Sequence, residues 1–166
     1  MYTNRPKLTI PKTVSERIWD IIGYVSYIGA ILFLIISWGD LPSEVPAHYN
    51  AAGDVDRWGS KWELVILPGI GLFLLLFLNL FEKYPEWHNY PKRFNASNAT
   101  QFYLVSRQLI NQLKNLSLIM FAVILYQSIA IALGWSEELG TMLISLLVGS
   151  LLIPIIITWL KFRKIK

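Results

Sequence analysis

Residues 19–38 read WDIIGYVSYIGAILFLIISW, a run of twenty residues with a single charged side chain, Asp20. A helix needs roughly 20 apolar residues to cross about 30 Å of hydrocarbon, so this run is long enough to span a bilayer. Three later stretches have the same character, at residues 64–81, 116–134 and 142–160. With 54% hydrophobic and 16% charged residues, the chain is too apolar for an ordinary soluble domain. The sequence predicts an all-α membrane protein, a four-helix transmembrane bundle forming one domain of residues 1–166.

The residue types that the chain lacks exclude several kinds of site. It has no cysteine, so disulfides, iron–sulfur clusters, thiolate zinc sites and cysteine nucleophiles are excluded. Its two histidines, His48 and His88, are too few for a multi-histidine metal centre. The net charge of +4 comes from basic residues near helix ends and not from a basic domain, so we expect no nucleic-acid partner. We expect no cofactor either.

Basic residues divide unevenly between the two sides of the predicted bundle. Thirteen of the fifteen Lys and Arg residues lie in the N-terminal tail, the connector 82–115 and the C-terminal tail. The loop 39–61 holds only Arg57 and Lys61, and the loop 135–141 holds none. Because basic residues stay preferentially on the cytoplasmic side, we expect cytoplasmic N- and C-termini and an extracytoplasmic loop 39–61, in a bacterial plasma membrane.

The connector 82–115 has the pattern of an amphipathic helix. Its apolar residues recur at steps of three and four while polar residues fill the other face; the apolar set is Phe102, Val105, Leu109 and Leu113. We expect a cytoplasmic amphipathic helix that runs into the third span and lies at the membrane surface or under the bundle. Membrane lipids are expected partners. A solvated polar face is one interpretation, and a docking face for a cytoplasmic regulator is the alternative.

No ionisable side chain falls deep within a predicted span. Asp20, Lys61, Glu63 and Glu82 all lie within about a turn of a predicted membrane boundary. Since intramembrane ionisable groups commonly mark proton and ion pathways, this distribution argues against an ion-coupled transporter.

The loop 39–61 carries most of the residues that can form a site. It is too rich in aromatic and turn-forming residues to be disordered, and long ordered loops are usually functional. Residues 50–53 predict a turn with Gly53 at positive φ. The candidate ligand-binding or loop-ordering residues are Pro46, His48, Asn50, Gly53, Asp56, Arg57, Trp58 and Lys61.

Metal binding and catalysis are further interpretations of this loop. The acidic residues around Asp56 superficially resemble a calcium loop, but Trp58 stands where an oxygen ligand belongs, so we expect no metal. His48 with Asp56 is the only candidate acid–base pair, and no serine of the loop lies in a nucleophile elbow, so we assign no catalytic residue. The remaining interpretation is a folded cap in which Asp56 pairs with Arg57 or Lys61 and Trp58 packs on the bundle mouth.

A family signature runs through the same loop. Its residues here are Leu41-Pro42, Val45 to Asn50, Gly53, Asp56 to Lys61 and Leu67-Pro68. They resemble the signature of domain of unknown function family 1648, the N-terminal module of SdpI-type immunity membrane proteins, with Tyr49 in place of the usual phenylalanine. The resemblance implies protection of a bacterium from its own secreted toxic peptide, and in some members sequestration of a repressor at the membrane. This sequence shows only four spans and lacks the longer C-terminal helical part of those proteins.

Three functions are compatible with these patterns. The leading hypothesis is an SdpI-like membrane protein that recognises a toxic peptide or an envelope lipid through its outer loop, without turnover. The first alternative is a membrane-embedded enzyme acting on a lipid or peptide at the outer interface, with His48 and Asp56 as acid and base. The second is a structural or accessory subunit of a transporter.

Overall fold

The computed structural model describes residues 5–166, so the first four residues of the predicted domain lie outside the described residues. Within this range, four helices are long and apolar enough to cross a membrane: α1 (Val14–Ser37), α2 (Ile66–Lys83), α3 (Ala99–Ala132) and α4 (Thr141–Lys164). Two strands, β1 (Glu44–Tyr49) and β2 (Val55–Ser60), and two 3-10 turns, Lys61–Val65 and Pro85–Trp87, connect them. The prediction of a mostly helical protein with four membrane-spanning helices is confirmed.

The first helix begins earlier than the apolar run that predicted it. It begins at Val14 rather than at residue 19, because Thr13 and Glu16 form a capping box. The Thr13 hydroxyl accepts the Glu16 N–H at 3.3 Å, and the Glu16 carboxylate accepts the Thr13 N–H at 2.7 Å. Hydropathy alone does not detect such a polar first turn, so the predicted boundary was wrong.

The third helix joins the predicted amphipathic helix and the third span into one element of 34 residues. It begins at Ala99, and at 1.5 Å per residue it is about 51 Å long. The predicted solvated polar face is wrong, because polar residues on this helix face the other elements of the bundle. Four that are at most 6% exposed are Ser106, Arg107, Asn111 and Lys114.

The same helix is the centre of the packing. α1, α2, α4 and β1 all pack against α3, whereas α1 and α2 contact each other only slightly. One apolar cluster lies toward the hairpin, formed by Ala30, Leu34, Leu41, Val45, Leu64, Ala122, Leu125 and Ile129. A second lies toward the chain termini, formed by Phe94, Ala99, Phe102, Tyr103 and Ile165. The long α3 therefore connects the two ends of the molecule.

The loop between α1 and α2 is a β-hairpin, so the all-α prediction was wrong for this segment. The strands β1 and β2 pair antiparallel, with Val45 opposite Gly59 and an irregularity beside His48. The turn forms where it was predicted, with Gly53 at φ 93°. The Asn50 side-chain oxygen accepts the N–H groups of Ala52 at 2.8 Å and Asp54 at 3.1 Å. Short strands containing a proline and several charges gave no clear alternating pattern, which is why the sequence predicted only the turn.

Candidate ligand-binding site between the hairpin and the bundle

A cavity of about 510 Å³ lies between the hairpin and the helices. The hairpin forms one wall with residues 46–51 and Arg57. The opposite wall is largely aliphatic and consists of Leu64, Ile66, Leu67, Ile124, Leu139 and Ile144, with Glu63 and Ser128 as its polar members. Small-molecule and side-chain pockets have this size and this mixture of apolar walls and few polar groups.

A histidine–aspartate pair stands on the hairpin beside the cavity. His48 Nδ1 lies 2.6 Å from Asp56 Oδ1, and the two side chains are 64% and 42% exposed. The strand pairing places them together, since His48 is the register partner of Arg57, the residue next to Asp56. The predicted pairing of Asp56 with Arg57 or Lys61 was therefore wrong.

An arginine–glutamate pair fastens the hairpin to the start of the second span. Arg57 donates to both carboxylate oxygens of Glu63, at 2.8 and 3.2 Å, and to the Ala47 carbonyl at 3.3 Å. A guanidinium with two parallel bonds to one carboxylate is geometrically well defined. This pair fixes the position of the cavity wall at residue 63, a residue that the sequence analysis placed only near a membrane boundary.

A tyrosine on the hairpin is bonded to the central helix. The Tyr49 hydroxyl lies 2.7 Å from the Ser128 hydroxyl, and Ser128 is only 2% exposed. Burial raises the pKa of the Tyr49 phenol, so the ring stays neutral. Sequence reasoning missed both residues as site members. The available signal was the polar pair Gln127-Ser128 within an otherwise apolar stretch of the third predicted span.

The tip of the hairpin is fixed to the segment before α4. Leu139 donates its N–H to the Gly53 carbonyl at 3.0 Å, and the Thr141 hydroxyl donates to the Ala52 carbonyl at 2.7 Å. A Cβ on Gly53 would lie 2.6 Å from the backbone nitrogen of Gly140. Gly53 thus lets the hairpin tip pack against the segment before α4, both through its positive φ and through this close approach.

The predicted candidate residues divide into three groups. Pro46, His48, Asn50 and Arg57 line the cavity. Asp56 orients His48, and Gly53 closes the tip. Trp58 and Lys61 do not line the cavity: Trp58 is 51% exposed, and Lys61 donates to the Trp38 carbonyl at 3.3 Å while its ammonium lies over the Trp38 ring. Their role in binding a ligand stays a prediction.

A buried polar network occupies the other end of the helices. Lys114 Nζ lies 2.7 Å from Glu82 Oε2 and 2.9 Å from Asp20 Oδ1, with its side chain fully buried. It also donates to Asn79 Oδ1 at 2.9 Å. Lys12 lies 2.6 Å from Asp20 and 2.5 Å from Glu82. Burial disfavours the Lys12 ammonium, but its hydrogen bonds to the two carboxylates outweigh this and raise its pKa.

The network extends along one face of α3. Asn111 and Asn115 donate to Asp20 Oδ1 at 2.8 and 3.0 Å, and Arg107 pairs with Glu16 at 2.8 Å. The sequence did not predict that these ionisable groups are buried among the helices. The charges come from separate helices and neutralise one another on packing, which hydropathy along one helix does not reveal. That no ionisable side chain falls deep within a predicted span stays a prediction, since these residues lie at or beyond the ends of the predicted spans.

Within residues 5–166 no three His, Asp or Glu side chains are grouped so that they could hold a metal ion. The His48–Asp56 pair provides polar groups at the edge of the cavity. The cavity beside it provides an apolar pocket. Together they form an arrangement that can bind an amphipathic ligand.

Two comparisons with known proteins find similarity to this chain. Residues 25–72 match the family described as Domain of unknown function (DUF1648). An uncharacterized protein of Archaeoglobus fulgidus is 35% identical over 68 residues, an alignment that covers 36% of this chain and 37% of the relative. The chain thus matches well under half of that relative's length. No solved structure matches the chain. The family match contains the second half of α1, the whole hairpin and the start of α2, so the similarity of this multipass membrane protein to the DUF1648 family lies in residues 25–72.

Proposed function

We propose that the protein lies in a bacterial plasma membrane and binds a ligand in the cavity under the hairpin, as an SdpI-like immunity or sensing protein. The ligand is a secreted toxic peptide or an envelope lipid. The observation that carries this proposal is the 510 Å³ cavity, one wall of which is the hairpin of the family module. The hairpin is hydrogen-bonded to Ser128, Glu63 and Thr141 and still leaves a cavity beneath it. A cavity held open by fixed walls is suited to binding a ligand.

The orientation of the protein belongs to the same proposal. The hairpin is extracytoplasmic and both termini are cytoplasmic. This is supported by the thirteen basic residues that lie in the two terminal segments and the connector 82–115, and not in the loops 39–61 and 135–141. A cavity on the outer side meets ligands that arrive from the medium or from the outer leaflet. The basic surface at the opposite end is then available to a cytoplasmic regulator.

A membrane enzyme is the second candidate function, and one contact favours it. The 2.6 Å bond between His48 and Asp56 resembles a general base with its orienting carboxylate. The hydroxyls that line the cavity, on Tyr49 and Ser128, are bonded to each other instead of to His48. Purified His48→Ala protein that loses ligand affinity but shows no change in any measurable turnover would support binding over catalysis.

A cavity-filling variant tests the binding function. Ile144 lines the cavity, and Ile144→Trp should occupy its volume and displace the ligand. Wild type and variant would be purified from the native membrane, and the peptides and lipids that co-purify would be identified by mass spectrometry. The matched control is Ile156→Trp on the same helix, at a position 56% exposed outside the cavity. An identical co-purifying set in all three proteins contradicts the proposal.

Immunity and a structural role make different predictions for the hairpin variants. If the protein confers immunity, cells that lack it become more sensitive to the peptide, and His48→Ala or Asp56→Ala loses protection with little loss of thermal stability. If the hairpin merely caps the bundle of a transporter subunit, the same variants lose stability in detergent. Equal peptide sensitivity with and without the protein contradicts the immunity version.

A further inference from the structure

The exposed carboxylates of the chain are concentrated at the hairpin end, defined here as residues 38–65 and 133–141. This end holds seven acidic residues and two basic ones, Arg57 and Lys61. The acidic residues are Asp40, Glu44, Asp54, Asp56, Glu63, Glu137 and Glu138. Of the four acidic residues elsewhere, three are bound in the inner network described above. The hairpin end is therefore strongly acidic, while the rest of the surface is basic.

The usual determinant of membrane orientation does not explain this concentration. Orientation follows Lys and Arg, and Asp and Glu contribute little to it. Carboxylates could therefore be distributed over both ends without changing the topology. Within residues 5–166, Asp40, Glu44, Asp54, Glu137 and Glu138 form no ion pair. All five side chains are exposed, so their charges can act on an approaching ligand.

The positions of these charges relate them to the cavity. Glu63 belongs to the cavity wall, and Glu138 immediately precedes Leu139, another wall residue. Asp54 follows Gly53, which closes the tip through the Leu139 N–H. Carboxylates thus lie near the cavity on the hairpin and on the loop before α4, while the Glu63 carboxylate on the wall is paired with Arg57. Fixed charges around a low-dielectric cleft attract ligands of opposite charge and accelerate their binding.

We propose that the ligand of this cavity is a cationic amphipathic peptide, which places an aliphatic or aromatic side chain among Leu67, Ile124 and Ile144 while its basic side chains face the surrounding carboxylates. This inference rests on the proposed function and selects between its two ligand classes. Anionic envelope lipids would be repelled by the same charges. The apolar wall supplies the affinity, and the carboxylates supply the preference for positive charge.

The test uses the full chain in phosphatidylcholine nanodiscs, whose lipids carry no net charge. Two fluorescent 20-residue amphipathic helical peptides serve as probes, identical except that one has four Lys where the other has four Glu. Binding at the cavity is defined as the component that is lost in Ile144→Trp. We expect this component for the Lys peptide, with an affinity at least tenfold above that for the Glu peptide. Raising NaCl from 0.05 to 0.5 M should weaken it, because salt screens surface charges.

Two charge-reversal variants compare the effect of a carboxylate near the cavity with that of a carboxylate at the opposite end of the molecule. Glu138→Lys changes the charge beside the cavity, and Glu86→Lys makes the same change at the opposite end. Since exposed ion pairs are individually weak, we expect Glu138→Lys to reduce Lys-peptide affinity by about threefold to thirtyfold, and Glu86→Lys to leave it within twofold.

The outcomes distinguish the two proposals. If the Glu peptide, or added phosphatidylglycerol, gives the component that Ile144→Trp removes, the cationic-peptide inference is overturned and binding in the cavity stands. If no probe gives such a component, both proposals are overturned. If Lys-peptide affinity responds equally to Glu138→Lys and Glu86→Lys, the carboxylates at the mouth do not select the ligand.

Discussion

Lys114 is the residue on which the inner network depends. Its ammonium is fully buried between Asp20 and Glu82, so Lys114→Met would leave two carboxylates in the bundle with only Lys12 to compensate them. Removing one partner of a buried ion pair costs about 3–5 kcal/mol. We expect a large fall in the thermal unfolding temperature of the detergent-solubilised protein.

Two further variants show whether the lost charge causes the expected fall in the unfolding temperature of Lys114→Met. Lys161→Met, on the exposed end of α4, removes the same charge from the surface and should leave the unfolding temperature nearly unchanged. Adding Glu82→Gln to Lys114→Met removes one stranded carboxylate and should recover part of the loss. A Lys114→Met protein as stable as wild type would contradict a paired network.

His88 gives the protein a pH dependence of a definite sign. It lies half-buried, with Nε2 3.0 Å from the Phe81 carbonyl and Nδ1 2.9 Å from the Ser106 hydroxyl. Burial lowers the pKa of His88, so the folded state favours the neutral ring, whereas the unfolded chain titrates near about 6.5. Its contribution to stability is complete above this value and is lost as the pH falls towards the lower folded pKa.

Unfolding temperatures measured between pH 5 and pH 8 check this dependence. We expect stability to decline below about pH 6.5 in the wild type, and the decline to be smaller in His88→Gln, which cannot take up the proton. A His48→Ala variant, altered in the hairpin, serves as the control and should keep the His88 contribution. An identical pH profile for wild type and His88→Gln would refute the assignment.

At the scale of elements, the hairpin depends on its tip. Gly53→Ala would place a side chain at φ 93° and only 2.6 Å from the Gly140 nitrogen. We expect faster amide hydrogen exchange over residues 44–60 and loss of cavity binding, with the helices unaffected. Gly39→Ala is the matched control, because a Cβ there meets nothing within 4 Å. Unchanged exchange in Gly53→Ala would show that the tip is not fixed to the segment before α4.

The spans could be predicted from the sequence, because length and apolar content are properties of each segment by itself. The hairpin strands could not, since Pro46 and the charged residues of β2 interrupt the alternation that predicts a strand. The predicted turn was confirmed because Asn50 and Gly53 determine it locally. Four of the eight predicted loop residues line the cavity, but the sequence did not predict that Tyr49 and Ser128 meet 79 positions apart.

The inner network could not be predicted for a related reason. The periodicity of α3 separates a polar face from an apolar one, but it does not tell which face the neighbouring helices cover. Asn115 donates a hydrogen bond to Asp20, which lies 95 positions earlier in the chain. Taken separately, the two residues look like polar groups at a membrane boundary. Only the packing brings opposite charges together and makes the polar face an interior one.

At the scale of the whole molecule, the proposed orientation can be measured directly. The chain has no cysteine, so a thiol reagent can label only the one cysteine that is introduced. Ala51→Cys lies exposed in the hairpin turn, and Ser97→Cys lies exposed before α3. We expect a membrane-impermeant maleimide to label Ala51→Cys in intact cells and Ser97→Cys only after the cells are opened. The reverse pattern would invert the topology and place the cavity in the cytoplasm.

The central position of α3 has a consequence for how the chain is made. The first two helices touch each other only slightly, and each brings a carboxylate that pairs with Lys12 and with the later Lys114. A nascent chain that has emerged only as far as residue 98 therefore holds Asp20 and Glu82 with Lys12 as their one shared ammonium. The early pair of helices is left with an excess negative charge until α3 is made. We expect products truncated before α3 to be degraded faster than the full chain.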